Sequence, residues 1–441
     1  MMNIFKRISS RFTSTDERFI NRRNLSISIY SSGTAGNLAG GNFLTGLLLL
    51  LNADDAFMGL VTIISMLGNV LQVFSSLILE RFPKRKHILI IARGLIHLFN
   101  IVIIGLIPVL HIKNQGKLLL VIITIMLISM VNALSSPGFM IWHIKSIPEG
   151  IRARYFSFLS ITNNIIIYSI VLGSSVIADK FKNSGNGLQG LLLLRLAAVL
   201  FAVLDIIFLF KIKEYPNEQD GNAMKLLQIL ISPFKEKKYL ITVSIACLWN
   251  FTANLPGPYY NIYLLKDLGV SYSYLNIINM LNIPILIILT PLWAKRIRDT
   301  SWFKTLCFSM GIYLLNFVGL SFVSSKTMIL YPISMVFAFI FAPGINLTFA
   351  NIPFINIPQK NQTNYIGFYA TMTSLAALLG VTFSRKFISL TENFKINVFG
   401  IQMGNKQYLM IVTALLMILA VIIIYFLQKR TTSGQEINKN L

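Results

Sequence analysis

Apolar runs long enough to cross a bilayer alternate with short polar segments along almost the whole chain. Twelve runs are legible, at 28–51, 56–79, 88–110, 117–140, 157–178, 190–210, 241–264, 272–294, 303–323, 328–351, 364–384 and 407–427. Each is close to the ~20 residues that a helix needs to span the hydrocarbon core. Lipid leaves only helices and closed barrels with all backbone groups satisfied, and runs this long and continuous read as helices. The expected fold class is an all-α integral membrane protein with twelve transmembrane helices. The first run is the weakest, because "SIYSSGTAGNLAGGN" puts polar residues and glycines inside it. The first 25 residues are polar, with no apolar core ahead of a small-residue cleavage site, so no cleavable signal peptide is expected.

One long polar stretch, "KIKEYPNEQDGNAMKLLQILISPFKEKKY" from Lys211 to Tyr239, separates six runs from six. Pro216, Asn217, Asp220 and Gly221 read as a linker, and "MKLLQILISPF" as a short amphipathic piece at the membrane surface. The expected domains are a six-helix bundle at 1–212, a linker at 213–238 and a second six-helix bundle with its tail at 239–441. The halves repeat. Ile147, Pro148, Tyr155 and Phe158 align with Ile357, Pro358, Tyr365 and Phe368 at one constant offset. "GNLAGGNF" in the first run and "ANLPGPYY" in the seventh share Asn-Leu and carry helix-weakening residues at related places.

Composition agrees with a lipid environment. Hydrophobic residues make 55% of the 441 positions, charged residues 12%, and mean hydropathy is +0.67. A soluble domain usually carries about 25% charged residues. The net charge of +23 would suggest nucleic acid in a soluble protein. Here most of the Lys and Arg fall in the termini, the central stretch and every second loop. The positive-inside rule then puts both termini in the cytoplasm of a multi-pass cell-membrane protein. The basic loops suit anionic lipid head groups, and no nucleic-acid partner is expected. Cys247 and Cys307 both fall within runs and read as buried free thiols.

At this point the chain resembles the major facilitator superfamily. The resemblance covers nearly the whole chain: twelve spans, cytoplasmic termini and a central cytoplasmic loop. Its local marker is the loop after the second span, where the family has Gly-x-x-x-Asp-Arg-x-Gly-Arg-Arg and this chain has "SLILERFPKRK". Arg81, Lys84 and Arg85 match, Glu80 stands for the Asp, and Ser76 and Pro83 replace the glycines. The second-half copy, "WAKRIRDTSW", carries Arg298 and Asp299 in reversed order. "IPEGIRARYF", with Arg152, is similar to the Pro-x-x-x-Arg stretch after the family's fourth helix. The resemblance implies that Glu80, Arg81, Lys84, Arg85 and Arg152 form a gating loop. Glu80 would face the start of the eleventh span near Thr363 and Asn364, where the helix dipole favours an anion.

Gly36, Gly40 and Gly41 weaken the first helix, and Pro256 and Pro258 withhold donors from the seventh. Interrupted helices at matching places in two halves point to a substrate path. Close helix packing is the competing role of such small residues. Asn37, Asn42, Asn132, Asn163, Asn250, Asn254, Tyr259, Asn279 and Asn346 are the candidate lining of a substrate cavity, with Asn164, Asn282, Trp142, Trp249 and Tyr260 beside them. An amide in hydrocarbon must be paired or wet, so each of these bonds either to a solute or to another helix. Asp205 is the acid that falls inside a span; with Arg93 and His97 it is the candidate coupling group, or a structural pair with Arg93. Arg195 lies near the other end of the sixth span.

No G-x-x-x-x-G-K-[ST] is present, so ATP is not a direct energy source. The chain has no His-x-x-x-His pair and no acidic pair within a span, and Asp54-Asp55 in a short external turn reads as a cap or loop. An enzyme is therefore not expected, nor a metal or other cofactor. The expected function is a secondary transporter of a small neutral or amphiphilic solute working by alternating access; a monomer is compatible with it, and the sequence does not fix the oligomeric state. A multidrug or lipid efflux carrier of the same fold is the nearest alternative. A membrane sensor or scaffold without transport is the alternative from another class.

Overall fold

The computed structural model describes residues 17–79, 82, 84–214, 234, 236–352, 362–398 and 401–432. The described chain is almost entirely helical, with one short hairpin, β1 (Ile396–Val398) antiparallel to β2 (Ile401–Met403). Eight described helical stretches are long and apolar enough to cross a membrane: Lys86–Val109, Asn114–Lys145, Phe158–Asn183, Gly187–Lys211, Tyr272–Asp299, Trp302–Ser321, Leu330–Phe349 and Asn405–Leu427. The chain divides into two compact units, one formed by Met1–Leu51 and Phe74–Gly221, the other by Asn52–Val73 and Asn222–Leu441.

In the first unit, α1 (Glu17–Ala39) and α2 (Gly41–Leu50) make one interrupted span. The interruption has a backbone cause. Gly41 has φ +51°, which favours glycine. A Cβ on Gly40 would lie 2.7 Å from the Gly36 carbonyl oxygen. The later piece of this unit holds α4 (Ser75–Leu79), α5 (Lys86–His97), a π-helical turn at Leu98–Ile103, and α6 (Ile104–Leu106). Then come α7 (Asn114–Lys145), α8 (Glu149–Asn183) and α9 (Gly187–Lys211). The apolar core of this unit holds Leu25, Leu89, Phe139, Trp142, Ile147 and Leu209. Polar groups fasten the end of α9: Lys213 N donates to Asn21 Oδ1 at 2.7 Å, and Trp142 Nε1 donates to the Lys213 carbonyl at 2.9 Å. Glu214 accepts from the backbone N–H groups of Arg85 and Lys86 and so caps α5 with a carboxylate, the charge that a helix N-terminus favours.

The second unit begins in sequence with α3 (Asp55–Val70) and resumes with α10 (Lys237–Ala253) and α11 (Gly257–Ile262), followed by a π-helical turn at Tyr263–Asp267. Pro256, at the start of α11, has no N–H to continue the α10 ladder. Next are α12 (Tyr272–Met280) and α13 (Asn282–Asp299), a span broken at Leu281, then α14 (Trp302–Ser321), α15 (Leu330–Asn351), α16 (Gln362–Leu390) and α17 (Asn405–Thr432). Tyr239, Val243, Tyr365 and Phe368 form one of its cores. The sequence repeat reappears as packing. Tyr155 donates its hydroxyl to the Arg22 carbonyl on α1, and Tyr239 on α10 donates to the Tyr365 carbonyl. In each unit the tyrosine of the repeat is thus tied to the first helix of its half.

Candidate functional site

Each unit carries a polar group inside its helices, and each is built where a helix is interrupted or a lone polar residue enters an apolar stretch. In the first unit, Asp205 on α9 is fully buried. Ser28 on α1 donates to its Oδ1 at 2.5 Å, His97 Nε2 lies 2.7 Å from its Oδ2, and Arg93 Nε is 3.8 Å from the same oxygen. Arg93 Nη1 also donates to Ser32 at 2.9 Å, and its guanidinium sits 4.3 Å above the Phe139 ring. A carboxylate in so dry a place needs partners on several sides, and α1 and α5 supply them. The expected pairing of Asp205 with Arg93 is present, and the shorter contacts are to His97 and Ser28.

Arg195 is buried on α9, where its Nη1 donates to the Asn100 carbonyl and its Nη2 to the Ala39 carbonyl at 2.9 Å. Ala39 ends α1 and Asn100 lies in the π-helical turn. One guanidinium therefore satisfies carbonyls at two helix irregularities, which explains a buried arginine without a carboxylate partner.

Around the α1 interruption, Asn37 donates to the Gly33 carbonyl at 2.9 Å, and Tyr30 and Thr162 share a hydrogen bond of 2.6 Å. Asn163 on α8 has a buried Oδ1 without a partner, and this atom would lie 3.2 Å from a Cβ on Gly33. Asn37, Gly33 and Asn163 therefore belong to one polar neighbourhood. Asn132 on α7 is exposed, and Asn42 is half-buried on α2.

At the α10–α11 break the amides bond back into their own helix. Asn250 donates to the Ala246 carbonyl at 2.8 Å and Asn254 to the Asn250 carbonyl at 2.7 Å. Such i−4 bonds occupy one N–H of each amide within its own helix. Tyr259 is fully buried, and a Cβ on Gly59 of α3 would meet its hydroxyl at 2.2 Å. Its ring thus fills a close helix contact. Tyr260 is buried too, and neither hydroxyl has a partner among the described residues. Asn279 is half-buried on α12.

A cavity of about 220 Å³ lies among α13, α14 and α15, where Asn282, Tyr313, Asn316 and Asn346 converge. Asn316 and Tyr313 were not among the residues expected from sequence. The signal was available: Asn316 is the single amide in the apolar stretch "GIYLLNFVGLS". An ion cluster was also missed. Buried Lys406, at the start of α17, holds Asp55 Oδ2 at 2.9 Å and Asp267 Oδ2 at 2.8 Å. Asp54 Oδ1 accepts from Phe57 N at 2.7 Å, the cap read from sequence. Among the described residues no group of His, Cys, Asp or Glu is arranged to hold a metal.

Of the gating loop, Glu80 and Arg81 lie outside the described residues, as do Ile357 and Pro358 of the repeat and the amphipathic piece up to Pro233. The side chains of Arg152, Thr363 and Asn364 lie outside them as well. Lys84 is exposed, and buried Arg85 donates its Nε to the Phe82 carbonyl at 3.0 Å.

The Major Facilitator Superfamily model matches residues 25–381. The chain belongs to that superfamily. Solved structures of similar fold include a mutant of the nucleoside transporter NupG, at 13% identity and TM-score 0.70, covering 92% of this chain and 99% of that one. A bacterial homologue of the iron transporter ferroportin in an inward-facing state gives 13% and 0.67, covering 94% and 99%. A D-xylose–proton symporter gives 14% and 0.66, covering 92% and 97%. No curated protein sequence matches the chain. At these identities the likeness establishes the superfamily fold and no particular solute. The chain is a multi-pass membrane protein of a transporter family, and an enzyme reading is set aside.

Proposed function

We propose that this superfamily member is a secondary transporter that moves a small neutral solute across the cell membrane by alternating access. In this reading twelve helices form two six-helix halves, 1–212 and 239–441, joined by the linker at 213–238, with both termini in the cytoplasm. The observation that carries it is the pair of interruptions at matching first helices, Gly40–Gly41 and Asn254–Pro256, with Asn37 beside the first and Asn250, Asn254 and Tyr259 beside the second. Interrupted helices with neutral polar neighbours suit a site that reads hydroxyls or amides. Asn37, Asn163, Asn254 and Asn346 are the proposed solute contacts, and the Glu80 to Arg85 loop with Arg152 the proposed gate. Asp205 is assigned to holding α1, α5 and α9 together rather than to ion coupling; its three close partners support that role.

The amphiphile-efflux alternative draws support from a recess of about 250 Å³ lined mostly by apolar residues of the π-helical turn and α9, including Leu98, Ile101 and Val203. The test is flux in proteoliposomes with sugars, nucleosides, neutral amino acids and amphiphilic dyes. Saturable uptake of a neutral solute that falls in Asn37→Ala and Asn254→Ala supports the proposal. Uptake of dyes alone favours the alternative. Absence of flux from every member favours a sensor or scaffold.

A further inference from the structure

We infer that the cavity among α13, α14 and α15 binds a neutral, cyclic solute of monosaccharide or nucleobase size through adjoining hydrogen-bond donors and acceptors. The inference rests on the transporter reading above and names the class of solute.

Three features converge there. First, the lining is polar but uncharged: Asn282, Asn316, Asn346 and Tyr313 bring amides and a hydroxyl, and no lining residue is ionisable at neutral pH. A charged solute would enter without a counter-charge, which makes it a poor occupant. Second, Asn316 is 3% exposed and its Oδ1 has no partner among the described residues. A buried amide oxygen left unpaired is costly, and a donor from a bound molecule removes that cost. Third, the backbone around the cavity is short of ladder bonds. Pro343 lies inside α15 and lines the cavity with Phe339. Without a proline N–H, the Phe339 carbonyl loses its i+4 donor and is a further acceptor. Asn282 begins α13 directly after the break at Leu281.

Shape and size narrow the class. Tyr313 and Phe339 are the aromatic residues of the lining. Tyr313 is itself propped by Trp249, centroids 5.9 Å apart, and Trp249 stacks on Phe349 at 5.6 Å and 19°. A lining that combines aromatic side chains with amides suits a ring that offers an apolar face and a polar rim. The volume of about 220 Å³ falls below the roughly 300–1,000 Å³ of sites for drug-sized ligands, so a small metabolite fits and an amphiphilic drug does not.

The test is equilibrium binding to the full-length protein in nanodiscs, with radiolabelled D-xylose, D-glucose, uracil, adenine and uridine as probes and glutamate and lysine as charged controls. The expected result is saturable binding of a neutral ring and none of the controls. Asn316→Leu and Ala342→Leu should each weaken it at least tenfold, while Thr382→Ala on the exposed face of α16 leaves it unchanged. Ala342→Leu adds volume at the lining and keeps every polar group, so it decides the matter if Asn316→Leu does not fold. Preference for the sugars or for the nucleobases tells hydroxyl recognition from ring-amide recognition. Binding of no neutral ring overturns the inference, as does binding that both variants leave intact. Solute flux with unaltered binding in both variants overturns this site and leaves the transporter reading standing. Binding lost in both variants without flux of that solute keeps the site and removes the transporter reading.

Discussion

Replacing Asp205 with alanine removes the carboxylate that Ser28, His97 and Arg93 share in the first unit. Hydrogen bonds between transmembrane helices average about 0.6 kcal/mol and reach about 1.7, so the Ser28 and His97 contacts together account for roughly 1–3 kcal/mol. Breaking a fully buried ion pair costs about 3–5 kcal/mol. Arg93 does not incur that full cost, because its side chain is 22% exposed and keeps Ser32 and the Phe139 ring. The combined loss should be about 2–4 kcal/mol. Asp205→Asn keeps an acceptor for Ser28 and a polar atom for His97 and loses only the charge, at about 1 kcal/mol. Arg93→Met with Asp205→Ala should cost less than the sum of the single changes, since no unpaired charge remains. Tryptophan fluorescence during thermal unfolding is the assay, because Trp142 stacks on Phe139 beneath Arg93, with ring centroids 6.4 Å apart. The expected order is wild type, then Asn, then Ala, separated by several degrees. An alanine variant that melts within about 1 °C of wild type, or one no worse than the asparagine variant, would refute the shared-carboxylate reasoning.

Three further outcomes follow from the second unit. Gly59→Ala places a methyl 2.2 Å from the Tyr259 hydroxyl and should destabilise by about 1–3 kcal/mol in a melting assay. Tyr259→Phe removes that unpartnered hydroxyl and should recover much of the loss; no recovery would mean that the ring itself is the obstacle. Gly380→Ala brings a Cβ to 2.4 Å from the Phe251 carbonyl oxygen on a neighbouring helix, and no side-chain change relieves a backbone clash. It should lower expression and melting temperature more than Gly59→Ala does. Lys406→Ala leaves Asp55 and Asp267 facing each other without a cation, at about 1–2 kcal/mol given their partial exposure. Lys406→Arg should restore the melting temperature if charge is what the cluster needs.

The apolar runs by themselves determined the all-helical membrane class, and the two interruptions were legible as well. Gly40–Gly41 and Pro256 act through the backbone of their own segment, and local sequence encodes local backbone conformation. The pairing of Asp205 was half legible, because an intramembrane acid must find a cation; that His97 and Ser28 stand closer than Arg93 depends on the rotation of α1 and α5 against α9. Other contacts had no local signal at all. Lys406 meets Asp55 and Asp267 across sequence separations that no motif spans, and each residue alone reads as an ordinary helix-end charge. Asn316 does stand out as the single amide of an apolar stretch, but its place beside Tyr313 and Asn346 depends on how α13 and α15 pack against α14. Hydrophobic periodicity records which residues meet lipid and where a helix breaks, since both are properties of one segment. Which polar groups then face one another is a property of helix packing, and only the tertiary structure decides it.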